Sequence, residues 1–419
     1  MLFKTNLAMQ NLTYLICSIV LCVSSCKTPE IDPPVVITPN PVVIDTTNIT
    51  TPRLVWRVRI LPDSMNSSSF TPIGIYKNDI FIFDYVTENE KDVASVKMLD
   101  TKTGKIKWTW RGFRTMGGAT AWYMHNNVAA FCDGADIDVL NLDTGTKLWT
   151  LNKPGEGWNR LSGEGENLYY MLYYGPAPFE DEAKLIKTNI YNQNWETVFT
   201  NKKEGNLCAG LELPTAVTNS KGERILFFQQ RALYKHNIRG YVKLFAFNET
   251  KKKLEWQTDS LDNNSNVDPP LFYKNRVYFN GDNAVFCFDA ETGNQIWKWK
   301  PEKYRSLVLG DMIIGEDKLF VKPDDEAMYC LNLDNGKEIW KNLANDGGVC
   351  DNPTYHKGNI YYSSWSRRDL YAVDAATGKV FWTFDMPNWS GGAKIGIDHE
   401  KNLMYASDRR FIYCFQIPK

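Results

Sequence analysis

The sequence predicts an all-β fold, an eight-bladed β-propeller of four-stranded antiparallel blades, with seven blades as the alternative count. Three observations predict it. The first is a recurring phrase. Asp100-Thr101-Lys102-Thr103-Gly104 leads to Trp108, Asn141-Leu142-Asp143-Thr144-Gly145 to Trp149, and Asp289-Ala290-Glu291-Thr292-Gly293 to Trp297. Asn332-Leu333-Asp334-Asn335-Gly336 leads to Trp340 and Asp374-Ala375-Ala376-Thr377-Gly378 to Trp382. In all five, Trp follows Gly by four residues and Asp or Asn precedes Gly by four. The second is the period: Trp256, Trp297, Trp340 and Trp382 follow one another at intervals of 41 to 43 residues, the length of a four-stranded propeller blade. The third is local chemistry. Each phrase has apolar residues, then turn residues with a Gly able to take positive φ, then a large aromatic, which reads as a β-hairpin.

Residues 1–25 read as a lipoprotein signal peptide. Lys4 is the early basic residue, and Leu12 to Val23 is apolar apart from Thr13, Tyr14 and Ser18. This run is shorter than the ~20 residues of a membrane helix and suits a signal-peptide core. It ends in Val23-Ser24-Ser25-Cys26, small residues before a cysteine, so Cys26 is the expected lipid attachment. The competing reading is an ordinary signal peptide with a chance cysteine. Residues 26–52 contain Pro29, Pro33, Pro34, Pro39, Pro41 and Pro52, a composition that favours an extended tether over packed structure.

The propeller is expected over 53–419. Residues 53–60 form a strand whose Trp56 lacks a hairpin of its own, while the last blade shows three strands and ends in 411–417. The first strand therefore completes the last blade, which closes the ring and removes an open edge. In the fifth blade strands are expected at 268–273, 276–279, 284–288 and 295–299, and in the seventh at 349–355, 359–363, 369–373 and 379–384. Looser copies of the phrase end at Trp195, with eroded turn residues, and at Trp256, without the Gly. The repeat tryptophans are then Trp56, Trp108, Trp149, Trp195, Trp256, Trp297, Trp340 and Trp382. The 61-residue interval from Trp195 to Trp256 marks an insertion.

Residues 372–382 match in full the phrase Ala-x-Asp-x-x-Thr-Gly-x-x-x-Trp, the tryptophan-docking motif of the PQQ-like propeller repeat. The chain resembles that family over roughly residues 53–417. The resemblance implies the fold and leaves activity open, because quinone-dependent dehydrogenases and cofactor-free scaffolds share the repeat. Signal peptide, Cys26 and eight blades together are similar in architecture to the lipid-anchored propellers of outer-membrane protein assembly, the BamB type. No partner-binding residue of that type is matched here.

The repeated Asp, Thr, Gly and Trp residues occur once per blade and serve the blade rather than a ligand. Cys287 and Cys330 hold the slot that Ala372 holds, and Cys414 a like one, which reads as a small buried core position. Cys132, Cys208 and Cys350 are isolated, and no paired spacing suggests zinc. The four histidines, 125, 236, 356 and 399, show no metal-ligand spacing. Gly310 and Gly315 have P-loop spacing, but Glu316 and Asp317 stand where Lys and Ser/Thr are required. Asp133, Asp136 and Asp138 alternate with apolar residues and read as a strand entry rather than a calcium loop. No vicinal cysteines and no calcium constellation support a quinone site. No catalytic residue, metal or cofactor is therefore expected. With 48 basic and 49 acidic residues and no basic stripe, a nucleic-acid partner is not expected either.

The informative loops are those that differ between blades: 155–160 and 387–392 entering inner strands, and 175–179, 231–239 and 364–368 between second and third strands. They contribute a candidate ligand or partner face of Trp158, Arg160, Arg231, Trp365, Arg367 and Trp389. Tryptophan beside Gly and Arg suits stacking on a sugar or anchoring a protein; the competing reading is aromatic plugs at the channel mouth. The functional expectation is a monomeric, non-catalytic lipoprotein of the cell envelope, lipid-anchored at the outer membrane, that serves as a scaffold for other envelope proteins. The alternatives are a surface glycan-binding lipoprotein and a PQQ-dependent dehydrogenase.

Overall fold

The computed structural model describes residues 52–60, 73–88, 91–113, 121–132, 136–152, 160–174, 181–204, 209–234, 237–262, 268–301, 311–323, 327–342, 350–364, 369–387, 395–408 and 410–418. The signal peptide, Cys26 and residues 27–51 lie outside them, as do Trp158, Trp365, Arg367 and Trp389.

These residues form eight four-stranded antiparallel sheets, the blades of a β-propeller. Blade 1 runs from strand Ile73–Tyr76 to Ile106–Trp110, blade 2 from Ala121–His125 to Lys147–Asn152, and blade 3 from Ser162–Glu164 to Trp195–Lys202. Blade 4 runs from Thr215–Thr218 to Lys253–Gln257, blade 5 from Leu271–Tyr273 to Gln295–Trp299, blade 6 from Asp311–Gly315 to Glu338–Asn342, and blade 7 from Cys350–His356 to Val380–Asp385. Blade 8 takes three strands from the C-terminus, Ile395–Asp398, Leu403–Ser407 and Phe411–Gln416, and its fourth, Arg53–Arg59, from the other end of the chain. Arg53 lies opposite Gln416 and Arg59 opposite Phe411. The ring closes as the sequence predicts, with eight blades rather than seven. Expected strand limits in blades 5 and 7 hold to within a residue or so, except that the strand expected from 268 begins at Leu271. Pro269 and Pro270 precede it and have no N–H to give to a ladder.

The recurring turn is built by its acidic residue. Asp374 Oδ1 accepts from the N–H of Ala376 and Thr377 at 3.1 and 2.8 Å and from the Thr377 hydroxyl at 2.7 Å. Gly378 then takes φ +75, and a Cβ there would stand 2.7 Å from the Trp340 ring of the preceding blade. Glycine is needed twice over, for the backbone and for the close approach. The indoles of six docked tryptophans donate to the next blade. Trp56 Nε1 donates to Thr101 O at 2.8 Å, Trp108 to Leu142 O at 3.2 Å, Trp149 to Ile190 O at 3.2 Å and Trp256 to Ala290 O at 2.9 Å. Trp297 donates to Leu333 O at 2.9 Å and Trp340 to Ala375 O at 3.1 Å. Trp382 is buried against Phe415 and Ile417 of blade 8.

Opposite each of these tryptophans, across a bulge, stands a small or apolar residue: Met98, Val139, Ala246, Cys287, Cys330, Ala372 or Cys414. The expected cysteine slot is therefore the space under the docked indole. Burial pushes the thiols of Cys287, Cys330 and Cys414 up to about 12, so they stay protonated. Asp136 and Asp138 lie in the strand Asp136–Asn141, and Gly315 ends the strand Asp311–Gly315, so both read as strand segments.

Two expectations change. Trp195 opens its strand opposite Thr188 and is 51% exposed, so it does not pack between blades. The bulge of blade 3 lies further from the turn, where Leu185 faces Phe199. Phe199 takes the packing role against Phe228, Phe245 and Phe247 of blade 4 at centroid distances of 5.1, 5.7 and 5.5 Å. Of the segment 231–239, expected as a loop, residues 231–234 and 237–239 belong to two long paired strands, Arg224–Tyr234 and Asn237–Asn248. Those long strands take up much of the insertion in blade 4.

Candidate functional site: the charged seam between blades 3 and 4

In the other blades the third-strand residue two before the turn-opening Asp or Asn is the small or apolar one under the docked tryptophan. In blade 3, counting from Asn189, that residue is Lys187, and it faces Glu196. The residue after the turn-opening Asp or Asn is Thr101, Leu142, Ile190, Ala290, Leu333 or Ala375 elsewhere. In blade 4 it is Glu249, only 4% exposed. A charge therefore replaces an uncharged group on both sides of this seam.

The charges are paired. Lys187 Nζ meets Glu196 at 2.7 Å and also the Glu249 carboxylate. Glu249 accepts from the Tyr169 hydroxyl at 3.0 Å and lies 3.1 Å from Arg224 Nε. Arg224 also pairs with Glu164, and Lys252 reaches Glu196 at 3.2 Å. Three cations thus meet three carboxylates. Burial pulls the Lys187 ammonium down, but hydrogen bonds to Glu196 and Glu249 outweigh it and hold the group above its ordinary value. Lys187 in turn holds the Glu196 carboxyl below its usual range. Burial, reinforced by Glu249, raises the Tyr169 phenol, which stays a donor.

The inner end of the same seam carries a second group. Glu212 lies just before the inner strand of blade 4, its N–H donating to Gln229 O at 2.9 Å. Next to it, a Cβ on Gly210 would stand 2.0 Å from Arg231 O, so only glycine allows this approach. Arg231 Nε lies 3.2 Å from Glu212 Oε1. Burial pushes the Glu212 carboxyl up to about 7, opposed by Arg231 and Arg160 and reinforced by Asp268. Gln229 Nε2 donates to Asp268 O at 2.9 Å. Beside this group a cavity of about 350 Å³ opens among the inner strands of blades 4 to 7, lined by Thr215, Gln229, Asp268, Asn280, Ile313 and Pro353.

Of the six candidate face residues the structure describes two, and it brings both to Glu212. Arg231 is 14% exposed and turned onto that carboxylate rather than outward. Arg160 shares the same field from blade 3. Sequence reasoning missed Glu212, Lys187 and Glu249. The signal for the last two was present as charged residues at positions that are uncharged in the other blades. Among the described residues no three His, Cys, Asp or Glu side chains gather as a metal-ligand set. No described helix is long and apolar enough to cross a membrane. The arrangement offers a carboxyl that changes charge near neutrality, guanidinium groups that face it and a partly apolar cavity.

A family model described as "Outer membrane protein assembly factor BamB" matches residues 193–348 and 324–415, together just over half of the chain. BamB from Moraxella catarrhalis is similar in structure, with TM-score 0.57 and 11% identity over 88% of this chain and 100% of that one. A europium-containing methanol dehydrogenase aligns with TM-score 0.60 and 12% identity over 87% and 93%. Sqt1 of Saccharomyces cerevisiae aligns with TM-score 0.64 and 10% identity over 88% and 100%. At such identities the likeness is one of fold. No curated protein matches the chain in sequence.

Proposed function

The chain belongs to the PQQ-like propeller family whose model is described as outer membrane protein assembly factor BamB, and from that premise we propose that it is a non-catalytic scaffold of the cell envelope. Lipid on Cys26 holds it to the membrane, and the inner end of the seam between blades 3 and 4 receives a protein partner. The observation that carries this reading is the division of labour among residues. The repeat residues are taken up by packing blade on blade, while charged residues that break the repeat collect at the one seam whose inner end carries Glu212 beside a cavity. A photo-crosslinking side chain at Arg160, with one at Lys337 as control, tests it in cells. An adduct with an envelope protein is expected at 160 and none at 337. Equal adducts, or none at 160, sink the docking face. Loss of fatty-acid labelling in Cys26→Ala is the matching test of the anchor. Incubation with PQQ and Ca²⁺ is expected to leave thermal stability unchanged. A gain near the ~2.7 kcal/mol expected at 100-fold excess over Kd, with dye-linked turnover, would overturn the non-catalytic reading.

A further inference from the structure

At the seam between blades 7 and 8 two of the four histidines meet. His356 Nδ1 lies 2.8 Å from His399 Nδ1, and His356 Nε2 lies 3.0 Å from Asn402 Oδ1. His356 is 2% exposed and ends the inner strand of blade 7. His399 is exposed, in the turn after the inner strand of blade 8. The same strand-end slot holds Tyr76 in blade 1 and Tyr273 in blade 5. Those hydroxyls donate to Asp143 and Asp317 of the next blade at 2.9 and 2.8 Å. Blade 7 has imidazole in place of that phenol, and blade 8 supplies an amide and a second imidazole.

The hydrogen bonds decide where the lone pair of His356 points. Lys357 Nζ lies 2.7 Å from the same Asn402 atom that faces His356 Nε2. An ammonium only donates, so that atom is the amide oxygen. Nε2 of His356 must then carry the proton it donates, and Nδ1 is left bare and aimed at His399. An imidazole N–H held by an oxygen acceptor, with the other nitrogen free, is how proteins orient a metal-ligating histidine.

We propose that His356 and His399 form a two-histidine site for a borderline divalent transition metal, zinc or copper(II), with water completing its shell. Without metal, His399 Nδ1–H donates into the lone pair of His356. On metal binding the His399 proton moves to Nε2, and no proton is lost. Two nitrogens on one tetrahedral zinc ion stand about 3.3 Å apart, so the pair has only to open slightly. His399, in an exposed turn, is free to do so. Imidazole suits zinc and copper(II) rather than magnesium or calcium. Asn402 is a positioning residue that touches no metal.

Titration calorimetry of the purified protein with Zn²⁺ tests this, with electron paramagnetic resonance of the Cu²⁺ form as a second readout. One Zn²⁺ per chain is expected, with two nitrogens coupled to Cu²⁺. His399→Ala should weaken Zn²⁺ at least ~10-fold, and Asn402→Ala ~10–100-fold, the range for such supporting partners. His125→Ala should change nothing. Absence of Zn²⁺ binding by the wild type, or unaltered binding by His399→Ala, would overturn the site and leave a hydrogen bond between blades.

Discussion

Two seams of the ring do the same job with opposite chemistry. Between blades 6 and 7, Trp340 is 4% exposed, its indole bonded to Ala375 O and its ring over Gly378. Between blades 3 and 4, Phe199 packs in part, and the space a tryptophan would fill carries Lys187, Glu196 and Glu249. Burying a large aromatic contributes several kcal/mol at about 25 cal/mol per Å² of apolar surface. A buried charge cluster is close to neutral while complete, because desolvation offsets attraction, and becomes costly when one member is lost. The apolar seam is therefore strong and indifferent to its surroundings. The ionic seam is conditional and responds to changes of charge. It is also the seam where blade 4 is enlarged and Glu212 titrates near neutrality.

The largest break tests whether closure belongs to the strong class. Deleting Arg53–Arg59 removes a whole strand pairing and the Trp56 latch on Gly104. It should unfold the ring cooperatively, whereas deleting 27–48 should leave the melting temperature unchanged; equal behaviour of the two truncations refutes closure as the source of stability. Next, Trp340→Ala should cost ~3–5 kcal/mol in urea unfolding, the range for a buried aromatic reduced to alanine.

At the ionic seam the effects depend on pH. Glu212, with its folded value at about 7, keeps its proton where the unfolded chain has lost its own, near pH 4.5. Stability should therefore fall as pH rises from 4.5 to 7 and level off above, by up to ~3 kcal/mol. Glu212→Gln should remove that slope, and an identical pH profile in the variant would contradict it. Glu249→Leu takes one of two carboxylate partners from Lys187 and from Arg224, each 23% exposed. The cost should be ~2 kcal/mol, below that of a fully buried pair. The double variant Lys187→Met/Glu249→Leu should recover part of it, and a double variant worse than the single would show the cluster to be net stabilising. Trp195→Ala should be smallest, within ~0.5 kcal/mol, as for exposed sites. A cost like that of Trp340→Ala would restore Trp195 to the latch class.

How far each feature could be read ahead of the structure follows from how it is encoded. Asp374, Thr377 and Gly378 satisfy one another within five residues, and Trp382 follows at a fixed spacing, so this turn could be recognised wherever it recurred. The cysteine slot was legible for the same reason, since Ala372 marks it in the most regular copy. Trp195 misled because it was placed by the interval between tryptophans: it stands six residues after Asn189, whereas the docked tryptophans stand eight after their turn-opening Asp or Asn. Trp195 pairs ahead of the bulge, opposite Thr188, and stays in solvent, while the bulge further along puts Phe199 against blade 4.

By itself the sequence determined the blade as the repeating unit and the apolar seams, because both are written in local turn chemistry repeated at a constant period. It pointed to the pairing of first strand with last through Trp56, which lacks a hairpin of its own; eight blades rather than seven came from the structure. Tertiary structure alone decided which side chains meet across blades. Arg160 shares the field of Glu212 from another blade, Lys187 and Glu249 lie 62 residues apart, and His356 and His399 are separated by 43. The physical reason is that hydrogen bonds within a turn are set by neighbours in the chain, whereas a contact between blades is set by how the ring closes.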